Sequence, residues 1–168
     1  MNKKAFSLIE LIVSISIIVI FFALIAFSPR GFYVQSLADQ DALIIKNDIL
    51  KAYNNTISGF TYGGYGYDHG FGLYFNISTP KKYIYFIDKN DNFSYNTGEL
   101  IEEVEIKNST LYNLNGQNTL SIIFKEREAA LYVNGATELP SDIIIDLMNN
   151  TVIKKVKINP KTYKINVE

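Results

Sequence analysis

The 168-residue chain has no cysteine and no tryptophan, and His69 is its single histidine. Without thiols there are no disulfides and no thiolate metal sites. One histidine rules out a multi-histidine metal centre and removes most histidine-based catalysis. Charge of either sign is also not in excess. Lys and Arg number 16 against 17 Asp and Glu, a formal net charge of −1 that gives no general attraction for polyanions. No G-x-S-x-G nucleophile motif occurs, and the acidic cluster Glu102, Glu103 and Glu105 lacks an identifiable partner group. These absences point away from an enzyme, and no cofactor is expected.

Two features stand out against them. The 12 Tyr and 11 Phe lie mostly beyond residue 50, which favours β-structure, where rings pack on a pleated surface. The other feature is the N-terminal stretch from Phe6 to Phe27, almost wholly apolar except for Glu10. As a helix it would span about 33 Å, enough for a bilayer core. Lys3 and Lys4 precede it and place that end in the cytoplasm. A secretory signal peptide would have a shorter core and a small-residue cleavage site, and none precedes Ser28-Pro29-Arg30. A plain signal anchor accounts for the length and the lysines. It leaves Glu10 unexplained, since a carboxylate at that depth costs about 2–3 kcal/mol.

The run Lys3-Lys4-Ala5-Phe6-Ser7-Leu8-Ile9-Glu10 resembles the cleavage and methylation signal of type IV pilins and pseudopilins. The resemblance implies a cut between Ala5 and Phe6, N-methylation of Phe6, and a glutamate five residues into the mature chain, which is Glu10. The family prefers glycine before the cut, and this chain has Ala5. In a filament of side-by-side helices, Glu10 of one subunit would meet the Phe6 ammonium of a neighbour and offset part of the cost of burying both charges.

Beyond the Ser28-Pro29-Arg30-Gly31 break, Ala38, Ala42, Ile45, Ile49 and Ala52 recur at helical spacing, an apolar stripe suited to rest on a sheet. The glycine-rich stretch 60–72 lacks the lysine and context of a phosphate loop and reads as a loop, with His69 solvated in it. Strands are expected at 71–77, 83–88, 100–107, 119–125, 130–134, 142–147, 151–158 and 162–168. The segments Gly70-Phe71-Gly72-Leu73-Tyr74-Phe75, Tyr83-Ile84-Tyr85-Phe86-Ile87-Asp88 and Thr97-Gly98-Glu99 look like H-type minor pseudopilins of type II secretion and T-type fimbrial minor pilins. That resemblance implies a β-sandwich carried on a long helix.

Two further constellations carry alternatives. Residues 88–99, counted as a twelve-residue calcium loop, put Asp88, Asn90, Asn92, Asn96 and Glu99 at ligand positions. Phe93 occupies the glycine position, so an Asx-rich turn without metal is the favoured reading. Lys154, Lys155 and Lys157 could contact DNA phosphates, but a solvated, aggregation-blocking face is favoured.

The expected fold is therefore α+β and pilin-like: a long, partly transmembrane N-terminal helix, then a small antiparallel β-sandwich. Its parts are a leader at 1–5, a transmembrane and assembly helix at 6–28, an amphipathic stalk helix at 29–58 and a globular β domain at 59–168. The expected role is a minor pseudopilin of a type II secretion filament, with a minor pilin of a pilus or DNA-uptake machine as the alternative. A monotopic DNA- or ligand-binding module on a plain anchor is the reading from another class. Expected partners are other pilin or pseudopilin subunits, prepilin peptidase, the inner-membrane assembly platform and the membrane, with DNA not favoured. The expected location is single-pass in the bacterial inner membrane, N-terminus cytoplasmic and globular domain outside.

Overall fold

The computed structural model describes residues 7–26, 30–65, 68–125, 130–137, 139 and 141–168. The chain divides into two compact units, Met1–Tyr33 and Val34–Glu168.

The first unit contains α1 (Leu8–Ala26). Ile and Val make up much of it, and their stiff side chains lower intrinsic helix propensity. Two other features favour the helix: caps at its start and the absence of any internal Gly or Pro. Its described side chains are all exposed, Leu8, Ile9, Phe22 and Leu24 by two-thirds or more. Among the described residues no helix is long and apolar enough to cross a membrane. At 19 residues α1 is about 29 Å long, just under a ~30 Å bilayer core. Phe6 and Phe27, the ends of the apolar run in the sequence, lie outside the described residues.

Helix α2 (Arg30–Ile57) supplies the second unit with a packing face from Val34 onward. Ala38, Ala42, Ile45, Ile49 and Ala52 are completely buried on it. Burying each isoleucine contributes roughly 1.5–3 kcal/mol, and the alanines let the helix approach its support closely. The helix ends in a Schellman arrangement. Phe60 N–H donates to the Asn55 carbonyl at 3.0 Å and Gly59 N–H to the Thr56 carbonyl at 3.3 Å, with Gly59 at φ +67°.

Nine strands follow: β1 (Gly70–Asn76), β2 (Lys82–Asp88), β3 (Leu100–Glu105), β4 (Thr110–Leu114), β5 (Thr119–Lys125), β6 (Ala130–Val133), β7 (Ile143–Asn149), β8 (Val152–Ile158) and β9 (Ile165–Val167). They form a five-stranded sheet, β3-β2-β1-β5-β6, and a four-stranded sheet, β4-β7-β8-β9, with every strand pair antiparallel. The architecture is α+β, with helix first and antiparallel sheets after. The expected strands omit β4. The final strand is also shorter than expected, because Tyr163 takes a left-handed φ of 54° and stays in the turn begun by Asn159.

In the larger sheet Phe71, Leu73 and Phe75 stand opposite Ile87, Tyr85 and Tyr83 on one side, and opposite Phe124, Ile122 and Leu120 on the other. All are buried and share one core with α2 and the inner residues of the smaller sheet, such as Ile145, Leu147 and Val156. Polar groups fasten α2 to this core. Asp41, itself buried, accepts from Asn108 N at 2.9 Å, Asn108 Nδ2 at 3.2 Å and Ser109 N at 2.6 Å. Tyr83 Oη donates to Asp48 Oδ2 at 2.5 Å. Burial, reinforced by Asp48, pushes the Tyr83 phenol far above its ordinary pKa, so it remains a donor. Thr56 Oγ1 donates to the Phe124 carbonyl at 3.0 Å.

Candidate functional site

The start of α1 is built by its own sequence. Ser7 and Glu10 are three residues apart, the spacing of a capping box. Glu10 Oε2 accepts from Ser7 N at 2.9 Å and from Ser7 Oγ at 3.1 Å, while Glu10 N–H donates back to Ser7 Oγ at 3.3 Å. Glu10 Oε1 makes no hydrogen bond among the described residues. The remaining polar side chains of the helix are satisfied internally: Ser14 Oγ donates to the Glu10 carbonyl at 2.7 Å and Ser16 Oγ to the Ile12 carbonyl at 2.8 Å. An apolar medium would therefore meet one unneutralised group on this helix, the Glu10 charge. Ser7 is a site residue that composition alone does not mark. Its signal is the Ser-x-x-Glu spacing. Ala5 and Phe6, the expected cleavage pair, lie outside the described residues.

Loop 88–99 folds by itself. Asp88 is wholly buried and Glu99 nearly so. Asp88 Oδ1 and Oδ2 accept from Asn92 N at 3.2 Å and Phe93 N at 2.8 Å. Glu99 Oε1 and Oε2 accept from Lys89 N at 3.1 Å and Asn96 N at 2.7 Å. Asn90 Oδ1 and Asn92 Oδ1 accept from Asn92 N and Ser94 N, and Asn96 Nδ2 donates to the Ser94 carbonyl. Oxygens that a calcium loop turns onto an ion are thus turned onto amides, and Phe93 takes the left-handed φ of 60° that usually calls for glycine. The loop also lies across the outer face of the larger sheet. Phe93 stacks on Tyr132 with centroids 4.0 Å apart, and Tyr95 packs against Tyr74 and Phe86 at 5.2 and 5.4 Å. Among the described residues no group of three or more His, Cys, Asp or Glu side chains is placed to hold a metal.

Since the carboxylate oxygens of Asp88 and Glu99 are engaged by backbone amides, about 1 mM calcium, the upper range for extracellular loops, should leave the thermal midpoint of the chain unchanged. Asp88→Ala should lower that midpoint with or without calcium. A rise of several degrees on adding calcium, lost in Asp88→Ala, would show that the loop opens to bind.

The lysines of β8 divide by face. Lys154 points to the core side, three-quarters or more buried, with its ammonium 2.8 Å from Asp39 Oδ1 on α2. Lys157 lies 3.4 Å from Asp142 Oδ2 and 3.9 Å from Glu168 Oε1. Lys155 is exposed and has no ion pair among the described residues. The structure therefore does not bring the three ammonium groups together on one open surface. His69 also differs from the solvated histidine expected in its loop. It is about one-quarter exposed, its Nδ1 is 3.5 Å from Asp91 Oδ1, and the Tyr65 ring meets it edge-on at 5.2 Å. Lys125 approaches the same Asp91 oxygen at 3.0 Å, so one carboxylate on the loop faces two nitrogen groups from β1 and β5 ends. Nothing in the spacing of residues 69, 91 and 125 announces this.

Of these sites, the N-terminal one is recognised by comparison. Residues 1–26 match the prokaryotic N-terminal methylation motif. This is the prepilin signal of type IV pilin-like proteins, and Ser7, Glu10 and all of α1 fall within it. The match implies processing by a prepilin peptidase and assembly with other pilin-like subunits. No curated protein and no solved structure matches the chain.

Proposed function

We propose that the chain is a minor pseudopilin-like subunit of a type II secretion filament, a structural component rather than an enzyme. The observation that carries this reading is the methylation motif coinciding with an apolar helix whose one charged residue, Glu10, is fixed by a capping box. In this reading prepilin peptidase cuts between Ala5 and Phe6, the new amino group of Phe6 is methylated, and the helix holds the subunit in the inner membrane before assembly. The globular unit faces outward. Its polar fastening of α2 suits a part that must transmit the position of the helix to the surface. The choice of type II secretion over a pilus or DNA-uptake filament rests on the likeness of residues 70–75, 83–88 and 97–99 to H-type minor pseudopilins. The engaged ammonium groups of Lys154 and Lys157 weigh against β8 as a phosphate-binding face.

Co-expression with a prepilin peptidase should yield a chain that begins at Phe6, seen by intact mass of the membrane fraction, with a further methyl group when the methyltransferase is present. A chain that keeps Met1 to Ala5 under those conditions would end this reading.

A further inference from the structure

Five asparagines stand two places before a Ser or Thr with no Pro between: Asn54, Asn76, Asn92, Asn108 and Asn149. That spacing is the acceptor pattern for N-linked saccharide, and a usable acceptor needs an accessible side-chain amide and a free hydroxyl. Geometry separates the five. Asn54 lies within α2, and its Thr56 hydroxyl is buried and donates to the Ala52 and Phe124 carbonyls. Asn76 closes β1, half-buried, with Nδ2 3.5 Å from Tyr74 Oη. Asn108 Nδ2 is held by Asp41, and Thr110 Oγ1 donates to the Met148 carbonyl. Asn149 closes β7, half-buried and paired with Val152 across the turn.

Asn92, on loop 88–99, alone of the five is exposed together with its hydroxyl residue, Ser94. Its Oδ1 accepts from Ser94 N at 3.0 Å, as Asn76 Oδ1 does from Ser78 N at 2.8 Å, which fixes the carboxamide plane. Its Nδ2 and the Ser94 hydroxyl have no hydrogen-bond partner among the described residues. Asp88 and the Phe93–Tyr132 stack hold the loop in place around it. We propose that Asn92 is an acceptor for an N-linked saccharide. The donor class is a saccharide joined through a diphosphate to a polyprenyl lipid. A bond forms from Nδ2 to the saccharide C1 as the C1–O bond to the lipid diphosphate breaks. The amide proton passes to a base of the transferase, and the lipid diphosphate leaves. The inference rests on the proposed outward placement of the globular unit, where such donors are used.

The test is peptide mapping by mass spectrometry of the full chain purified from membranes of the organism that makes it. The peptide containing Asn92 should carry a glycan mass, absent in Ser94→Ala and retained in Ser94→Thr, while the Asn76 and Asn149 peptides stay unmodified. An unmodified Asn92 peptide overturns the proposal. So does equal modification of Asn76 or Asn149, since geometry would then not be selecting. The amino terminus read in the same experiment separates the two failures. With Asn92 unmodified, Phe6 as first residue leaves the filament reading standing, and Met1 removes both.

Discussion

Gly72→Ala is expected to lower the thermal midpoint of the globular unit by roughly 10 °C, a loss near 3 kcal/mol. Gly72 lies in β1, the central strand of the larger sheet, flanked by β2 and β5. A Cβ there would sit 2.5 Å from the Ile122 carbonyl oxygen, 2.8 Å from Ile123 Cγ1 and 3.1 Å from Phe86 Cε1. The side chains could shift, but the carbonyl belongs to the adjoining strand β5. Moving it would disturb the β1–β5 register that sets Phe71, Leu73 and Phe75 into the core. Gly116 supplies the comparison. It has φ +78° and open space around its Cα, so Gly116→Ala meets only the left-handed backbone penalty of about 1 kcal/mol. Both variants can be melted side by side by circular dichroism. Equal losses would mean that the sheet yields at Gly72.

That glycine also shows what the sequence could and could not disclose. The apolar stripe of α2 was legible because a 3.6-residue period needs no knowledge of what it packs against, and its five residues are buried as a set. Most strands were legible by alternation. β4 was not, because a bulge between Leu111 and Asn113 puts the buried residues Leu111 and Leu114 three apart, a spacing that does not read as strand. In loop 88–99 the Asx chemistry was visible, whereas the seating of Phe93 and Tyr95 on the outer sheet face was not. Aromatics in a loop have no period, and the ground they cover is made by Tyr74, Phe86 and Tyr132 on three different strands. Long-range ion pairs were equally hidden: Lys154 meets Asp39 from the far end of the chain, and His69 meets Asp91 across the loop. At the N-terminus the situation is reversed. The run Lys3 to Glu10 marked a motif by family resemblance, and the Ser7–Glu10 spacing that caps the helix lies open in the same stretch, since a helix start is made by neighbours in sequence.

Glu10 does two things in that motif, and three substitutions should separate them. As the third helical residue it caps the Ser7 N–H, a contribution of roughly 1 kcal/mol to the helix. As an anion, in the filament reading, it faces the Phe6 ammonium of a neighbouring subunit in a medium without water. Removing one partner of such a buried pair costs about 3–5 kcal/mol. Glu10→Ala removes both contributions, about 4–6 kcal/mol together, and should reduce incorporation into filaments about a thousandfold or more, each 1.4 kcal/mol being a factor of ten. Glu10→Gln keeps an oxygen to accept from Ser7 and discards the charge. Ser7→Ala discards the hydroxyl bonds and keeps the charge. If the charge governs assembly, Glu10→Gln should fail nearly as badly as Glu10→Ala, and Ser7→Ala should assemble within a few-fold of wild type. Membrane insertion should be unimpaired in all three, because each makes the segment less costly to bury. Sheared filaments quantified against the membrane pool give the measurement. Normal assembly of Glu10→Gln with failure of Ser7→Ala would make the cap, not the ion pair, the feature that assembly requires.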